Sequence, residues 1–268
     1  MLAELPEEAA TGVIADIYDE VRYLWAVPYV SSLQRHLATK AGWLEWSWAA
    51  LNPAFRSGRA QGAGWRAAAD TALPPLAPFD LPQLGVSAAD KQIIAEVCAG
   101  FVRVAPVNLM FAGLLRRLLA GARPMGTGWP QDNWQPPGAL PPLPELVDPA
   151  TADGATRAAL MRLANDADGT PFVPGLYRIL ARWPGYLAHL AGVLAPLFNA
   201  PETDAARSAL LSGIDHAVAR LFAELPPPPG TAMPPKDEIP AILRALDTYR
   251  RTSPEMIIFG RLIAAASK

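Results

Sequence analysis

VPYVSSLQRHLATKAGWLEWSWAALNPAF, residues 27–55, lies over TPFVPGLYRILARWPGYLAHLAGVLAPLF, residues 170–198, without a gap. From Pro28 onward 11 of 28 positions are identical, among them Pro28/Pro171, Val30/Val173, Arg35/Arg178, Gly42/Gly185 and Phe55/Phe198. Composition alone gives about two or three such matches, so the chain is read as carrying one unit twice. A second block repeats at a slightly larger shift: Ala105 to Phe111 (APVNLMF) answers Ser253 to Phe259 (SPEMIIF). Proline-rich stretches fall at matching places inside each copy, 74–82 and 226–235, and a third, 124–149, separates the copies. Proline removes a backbone donor and clashes with the preceding helical turn, so these are non-helical connectors. The organisation that follows is a first helical repeat over 1–120, a proline-rich linker over 121–150 and a second helical repeat over 151–268.

Within each copy the apolar spacing is helical. Val30, Leu33, Leu37 and Leu44 in the first, and Val173, Leu176, Leu180 and Leu187 in the second, step by three, four and seven, and alternation by two is absent. The expected fold is all-α: a tandem duplication of a multi-helix unit forming one pseudo-twofold symmetric globule. Pro28, Pro171 and Pro106 suit the first turn of helices, and Ser253-Pro254-Glu255 reads as an N-cap, a first-turn proline and an acid facing the positive helix end. Ser87 with Asp90 reads as a capping box, and Asp237 as the start of the helix at Ile239. Gly42 and Gly185 mark helix–helix turns, while Pro53 and Pro196 end or kink the second helix of each copy.

Bulk properties remove several classes of function. With 51% hydrophobic and 18% charged residues the chain packs as a globule, and a net charge of -2 leaves no basic stripe for nucleic acid. The N-terminus, MLAELPEEAA, is acidic where a secretory signal is basic, and the apolar run Leu109 to Ala120 is interrupted by Arg116 and Arg117 and is shorter than the roughly 20 residues of a membrane span. A cytoplasmic protein without a membrane segment is expected. The single cysteine, Cys98, fits that compartment and reads as a packing residue.

Familiar site motifs are missing. Gly62-Ala63-Gly64-Trp65-Arg66-Ala67 fits the dinucleotide fingerprint in form only, since no strand precedes it, and it is taken as a loop. There is no P-loop, G-x-S-x-G or H-E-x-x-H, and His36, His189 and His216 lack partners at metal-ligand spacing, so neither metal nor cofactor is expected. Trp43, Trp46 and Trp48 read as core and interface filler. Residues shared by two copies are explained by packing, so polar residues present in only one copy call for another reason. Asn108 stands where the other copy has Met256; it is either a first-turn asparagine or an amide directed at a ligand. Asp168 precedes the second motif where the first copy has Trp25; Asn165 to Gly169 is an ordinary solvated turn, or Asp168 is a carboxylate among aromatics able to act as a general base.

VPYVSSLQRHLA and TPFVPGLYRILA, each followed by a G-[WY]-L helix, together with APVNLMFAGLL, resemble the group I 2-haloacid dehalogenases over nearly the whole chain. That resemblance implies an all-helical duplication with its site between the halves. It further implies hydrolysis of short 2-haloalkanoic acids to 2-hydroxyalkanoic acids by direct attack of an activated water, with no metal and no covalent ester. An aspartate of the family activates that water and an asparagine helps hold it. Asn108 corresponds to the asparagine, whereas Pro171 to Gly175 carries no acid where the aspartate is expected, and Asp168 is the nearest carboxylate. The implied arrangement has Asp168 and Asn108 on the water and Trp25, Tyr29, Phe172 and Met256 around the substrate. Its carboxylate would meet helix N-termini at Pro28 or Pro171. The partners implied are a small carboxylic acid and water, with a homodimer left open by exposed apolar faces. The alternative is a member that keeps the fold without dehalogenation, binding a small apolar carboxylic acid or acting as a helical interaction protein. A peroxidase-like relative fits less well, because paired cysteines are missing.

Overall fold

The structure is a computed structural model and describes residues 3–71, 73–129, 134–167, 169–230 and 232–268. In chain order the first half supplies α1 (Gly12–Trp25), α2 (Ser32–Leu37), α3 (Trp43–Arg56), α4 (Arg59–Ala69) and α5 (Ala88–Leu119). The second supplies α6 (Gly154–Arg162), a hairpin of β1 (Asn165–Ala167) and β2 (Thr170–Phe172), α7 (Gly175–Leu180), α8 (Pro184–Leu194), α9 (Pro201–Glu224) and α10 (Ile239–Ala266). The hairpin pairs Asn165 with Phe172 antiparallel. The fold is all-α apart from these two three-residue strands.

Ser87 opens the longest helix by the reciprocal box its sequence promises: its hydroxyl accepts the Asp90 N–H at 3.1 Å, and the Asp90 carboxylate accepts the Ser87 N–H at 3.1 Å. Two long helices depart from expectation. Pro106 lies inside α5 and Pro254 inside α10; neither opens a helix. An interior proline costs roughly 3 kcal/mol through its missing donor and its clash with the preceding turn. Both helices are nonetheless buried continuously around it, from Val104 to Ala112 and from Thr252 to Gly260, and the burial of those side chains outweighs one interrupted turn. Glu255, read as an acid near a helix start, is accordingly mid-helix and buried, with its carboxylate on Arg207 at 2.9 Å and on the Asn165 amide at 2.8 Å. Pro28 and Pro171 also open no helix, since α2 begins at Ser32 and Pro171 stands in β2. Gly42 does turn the chain into α3, at φ 74°, whereas Gly185 lies within α8 behind Pro184.

α5 packs along α10, and α4 and α9 pack against α5 and each other, so the two halves share one core. α5 is longer than the apolar run suggested because it passes through Pro106. By length and composition it qualifies to cross a membrane, yet 72% of its most apolar window is buried against the rest of the protein. Trp43, Trp46 and Trp48 are all in the core. The Gly62 to Ala67 stretch is helix α4 rather than a loop, and Gly64 has a packing reason: a Cβ there would stand 2.9 Å from the Pro106 carbonyl oxygen and 3.1 Å from Met110. Alanine is the better helix former by about 1 kcal/mol, but overpacking against backbone costs about 1 to 3 kcal/mol. Gly64→Ala is therefore expected to lower stability in urea unfolding; a gain in stability would show that α4 and α5 do not approach so closely.

Candidate active site

Helical spacing puts Val104, Ala105 and Asn108 of α5 on one face, and Tyr249, Thr252, Ser253 and Met256 of α10 on another, where the two helices carry their prolines. These residues form one side of a cavity of about 590 Å³, a volume within the range of small-molecule sites. The segment Pro28 to Ser32 leading into α2, with Arg35, forms a second wall, and Phe172, Pro174, Gly175 and Ile179 around the start of α7 form a third. Pro142 to Leu146 of the proline-rich connector completes the enclosure. The stretch read as a linker thus contributes to the site itself.

Four side chains singled out in the sequence, Tyr29, Asn108, Phe172 and Met256, line this one cavity. Asn108 and Met256, the unlike residues at equivalent places of the repeated block, belong to it together. Asn108 is buried, and its Nδ2 donates to the Ser31 hydroxyl at 2.8 Å. Its Oδ1 is buried without a partner among the described residues. A buried amide half satisfied in this way costs about 1 to 3 kcal/mol, which an occupant of the cavity able to donate a hydrogen bond would relieve. Tyr29 stacks at a tilt on Phe101, with centroids 5.9 Å apart, and its hydroxyl is also buried and unpartnered. Burial pushes the Tyr29 phenol above its ordinary range, so it is a neutral donor.

Trp25 lies elsewhere. It is fully buried in the core, 5.9 Å from the Phe55 ring and 6.3 Å from Phe111, because it sits at the inward-facing end of α1 rather than on the segment that reaches the cavity. Asp168 falls outside the described residues. Of Pro171 to Gly175, the stretch where the resemblance implies an acid, Phe172, Pro174 and Gly175 line the cavity, and none has a side chain that can take a proton. Three described carboxylates face the cavity. Glu7 is held by the Val30 N–H at 2.8 Å and by Arg22, while Glu8 and Glu145 are exposed at the rim. Helix N-termini at Pro28 and Pro171 do not exist to receive a substrate carboxylate, and α2 and α7, six residues each, carry little macrodipole.

Sequence reasoning missed Ser31, Arg35, Tyr249 and the 142–146 strap. Ser31 was visible as the polar neighbour in VPYVSS, but nothing in the sequence joined it to Asn108, 77 positions away. None of the three histidines lines the cavity: His36 meets the Ala3 carbonyl at 2.8 Å, His216 the Ser212 carbonyl at 2.8 Å, and His189 packs on Phe79. Cys98 is buried, which pushes its thiol up to about 12 and leaves it a packing residue. Glu255, beside Met256 in the chain, ties the root of the hairpin to α10 through Asn165, and so braces the strand that ends in Phe172.

No family model matches the chain. Among curated proteins it is 23% identical over 221 residues to the (R)-2-haloacid dehalogenase of Pseudomonas putida, covering 77% of this chain and 72% of that protein. Solved structures share its fold throughout. A D-2-haloacid dehalogenase mutant superposes with a TM-score of 0.74 at 19% identity, over 100% of this chain and 94% of that one. The complex of D-2-haloacid dehalogenase with L-LA gives 0.73 at 18%, over 100% and 97%. The complex of a mutant with D-2-CPA gives 0.70 at 18%, over 100% and 94%. By sequence the chain is similar over most of its length to a 2-haloacid dehalogenase, and over all of its length it shares the fold of D-2-haloacid dehalogenases.

Proposed function

We propose that the chain hydrolyses short 2-haloalkanoic acids in the cavity between α5 and α10. One observation carries this reading: a buried asparagine, fixed through its Nδ2 on Ser31, has its amide oxygen unsatisfied in a cavity it shares with Tyr29, Phe172 and Met256. An oxygen so placed accepts a hydrogen bond from a water and turns a lone pair of that water toward the substrate. In the proposed step a carboxylate, Asp168, takes one water proton and the water oxygen bonds to C2 opposite the halogen. The carbon–halogen bond breaks, the halide leaves with the bonding electrons, and a 2-hydroxy acid of inverted configuration remains. Tyr29, Phe172 and Met256 would shield the alkyl group and halogen from bulk water. No metal enters the step.

We further propose that residues 1–120 and 151–268 are the duplicated halves. α2 and α7 keep the 143-residue offset of the sequence blocks, and each is held in the same way by the segment before it. The Leu5 N–H donates to the Arg35 carbonyl at 3.0 Å, and the Val147 N–H to the Arg178 carbonyl at 3.1 Å.

A second reading is favoured by the absence of an acid from Pro171 to Gly175: a protein that binds a small carboxylic acid and leaves it intact. The two readings part in one assay. With the (R) and (S) enantiomers of 2-chloropropionate and 2-bromopropionate, hydrolysis releases chloride or bromide, and the names of the relatives make (R) the first choice. Thermal stabilisation by these acids without halide release would establish the second reading. Given turnover, Asn108→Ala is expected to lower kcat about 100-fold with the fold intact, and Asp168→Asn at least as much. Unchanged kcat in Asp168→Asn would move the base to another carboxylate.

A further inference from the structure

The repeat makes Arg35 and Arg178 equivalent, yet the two guanidinium groups are used differently. In the second copy Arg178 Nε donates to the Val147 carbonyl at 3.0 Å. In the first copy Arg35 lines the cavity, its Nη2 pairs with Glu4 at 2.6 Å, and its Nε is buried with no partner among the described residues. Two phenols line the same cavity: the Tyr29 hydroxyl is buried and unpartnered among the described residues, and the Tyr249 hydroxyl, on a residue only 8% exposed, has the Ser32 side chain beside it. Both phenols lie within the field of Arg35, with Glu7 also acting on Tyr29 and Glu4 on Tyr249. One end of the cavity therefore gathers two unused donors, one of them cationic, beside the Tyr249 hydroxyl. Unmet buried donors of this kind are satisfied by a group with several acceptor lone pairs and negative charge, and a planar carboxylate fits a guanidinium edge well. This end is also joined to the water site: Ser31 takes the Asn108 amide at its hydroxyl, and its carbonyl accepts the backbone N–H of Arg35 at 3.2 Å.

We propose that Arg35, with the hydroxyls of Tyr29 and Tyr249, binds the carboxylate of the acid that occupies the cavity, the role that no helix N-terminus is placed to fill. The assignment rests on the carboxylic-acid reading above. It fixes the ligand's direction: the carboxylate lies toward α2, and the alkyl end faces Phe172 and Met256. Glu4 shares the guanidinium with the ligand, so it weakens binding by competition. The competing explanation is structural, with Arg35 serving only to tie residues 3–5 to α2 through Glu4.

The test uses propionate, which carries no halogen and is not consumed, and its neutral isostere propionamide, titrated against the full chain by ligand-observed NMR. Wild type is expected to prefer propionate. Arg35→Gln should raise the Kd for propionate at least tenfold while leaving that for propionamide within about twofold, since a charge-assisted bond is lost only for the acid. Tyr249→Phe, which removes a hydroxyl and little volume, should raise the propionate Kd severalfold, and Glu4→Gln should lower it. Equal weakening of acid and amide in Arg35→Gln, unchanged propionate binding in folded Arg35→Gln and Tyr249→Phe, or no preference for the acid in wild type each overturns the assignment. Halide release by wild type with an unaltered KM in Arg35→Gln overturns this anchor and leaves dehalogenation standing. Selective loss of propionate binding in Arg35→Gln with no halide release by wild type keeps the anchor and removes the dehalogenation.

Discussion

The contact between α5 and α10 is the constraint to which the rest of the molecule is fitted. Each helix carries a proline near its middle, and each is buried on nearly all sides there, so the broken turns are held by packing rather than by backbone hydrogen bonds. α4 closes on the same region at Gly64, where only a residue without a side chain lets it reach the Pro106 carbonyl. Val104, Ala105 and Asn108 of α5 and Thr252, Ser253 and Met256 of α10 lie one turn or less from these prolines, so this side of the site is built on the most deeply packed part of the chain, and the segments 28–32 and 142–146 close over it. A site supported in this way is pre-formed, which lowers the ordering cost of binding a small ligand.

Within that frame the chemistry comes from inequality between the halves. Asn108 against Met256 places a hydrogen-bonding side chain and an apolar one at corresponding positions of the two helices that line the cavity. Arg35 against Arg178 sets one guanidinium toward the cavity and the other on a backbone carbonyl. Glu255 belongs to the same pattern: buried, and raised above its ordinary range by that burial, it is held by Asn165 and Arg207 and fastens the hairpin on the apolar side. The packed helices supply the enclosure, and positions where the two similar sequence blocks differ supply its polarity.

The fold was legible because burial leaves a periodic trace: the steps of three, four and seven in both blocks are the faces that α2, α3, α7 and α8 turn inward. The capping box at Ser87 was legible because its two hydrogen bonds are local. The prolines were misjudged for the opposite reason. Whether Pro106 begins a helix or is carried inside one depends on tertiary burial, which local propensity does not contain. Asn108, Tyr29, Phe172 and Met256 could be found from differences between copies and from aromatic positions beside the motif. Trp25 could not be separated from them, since position along α1 decides which way it faces. Ser31, Arg35, Tyr249 and the strap at 142–146 enter the cavity through contacts between distant segments, and no spacing in the sequence records those.

The central claim is that a small carboxylic acid occupies the space between α5 and α10 with a water beside Asn108. A crystal structure of the chain with (R)-2-chloropropionate, trapped at low temperature, tests it most directly. The acid should lie between Tyr29 and Phe172, with a water on Asn108 Oδ1 and a carboxylate oxygen of the protein within hydrogen-bond reach of that water. An empty cavity with the acid bound elsewhere, or Asn108 turned away toward bulk solvent, would contradict it.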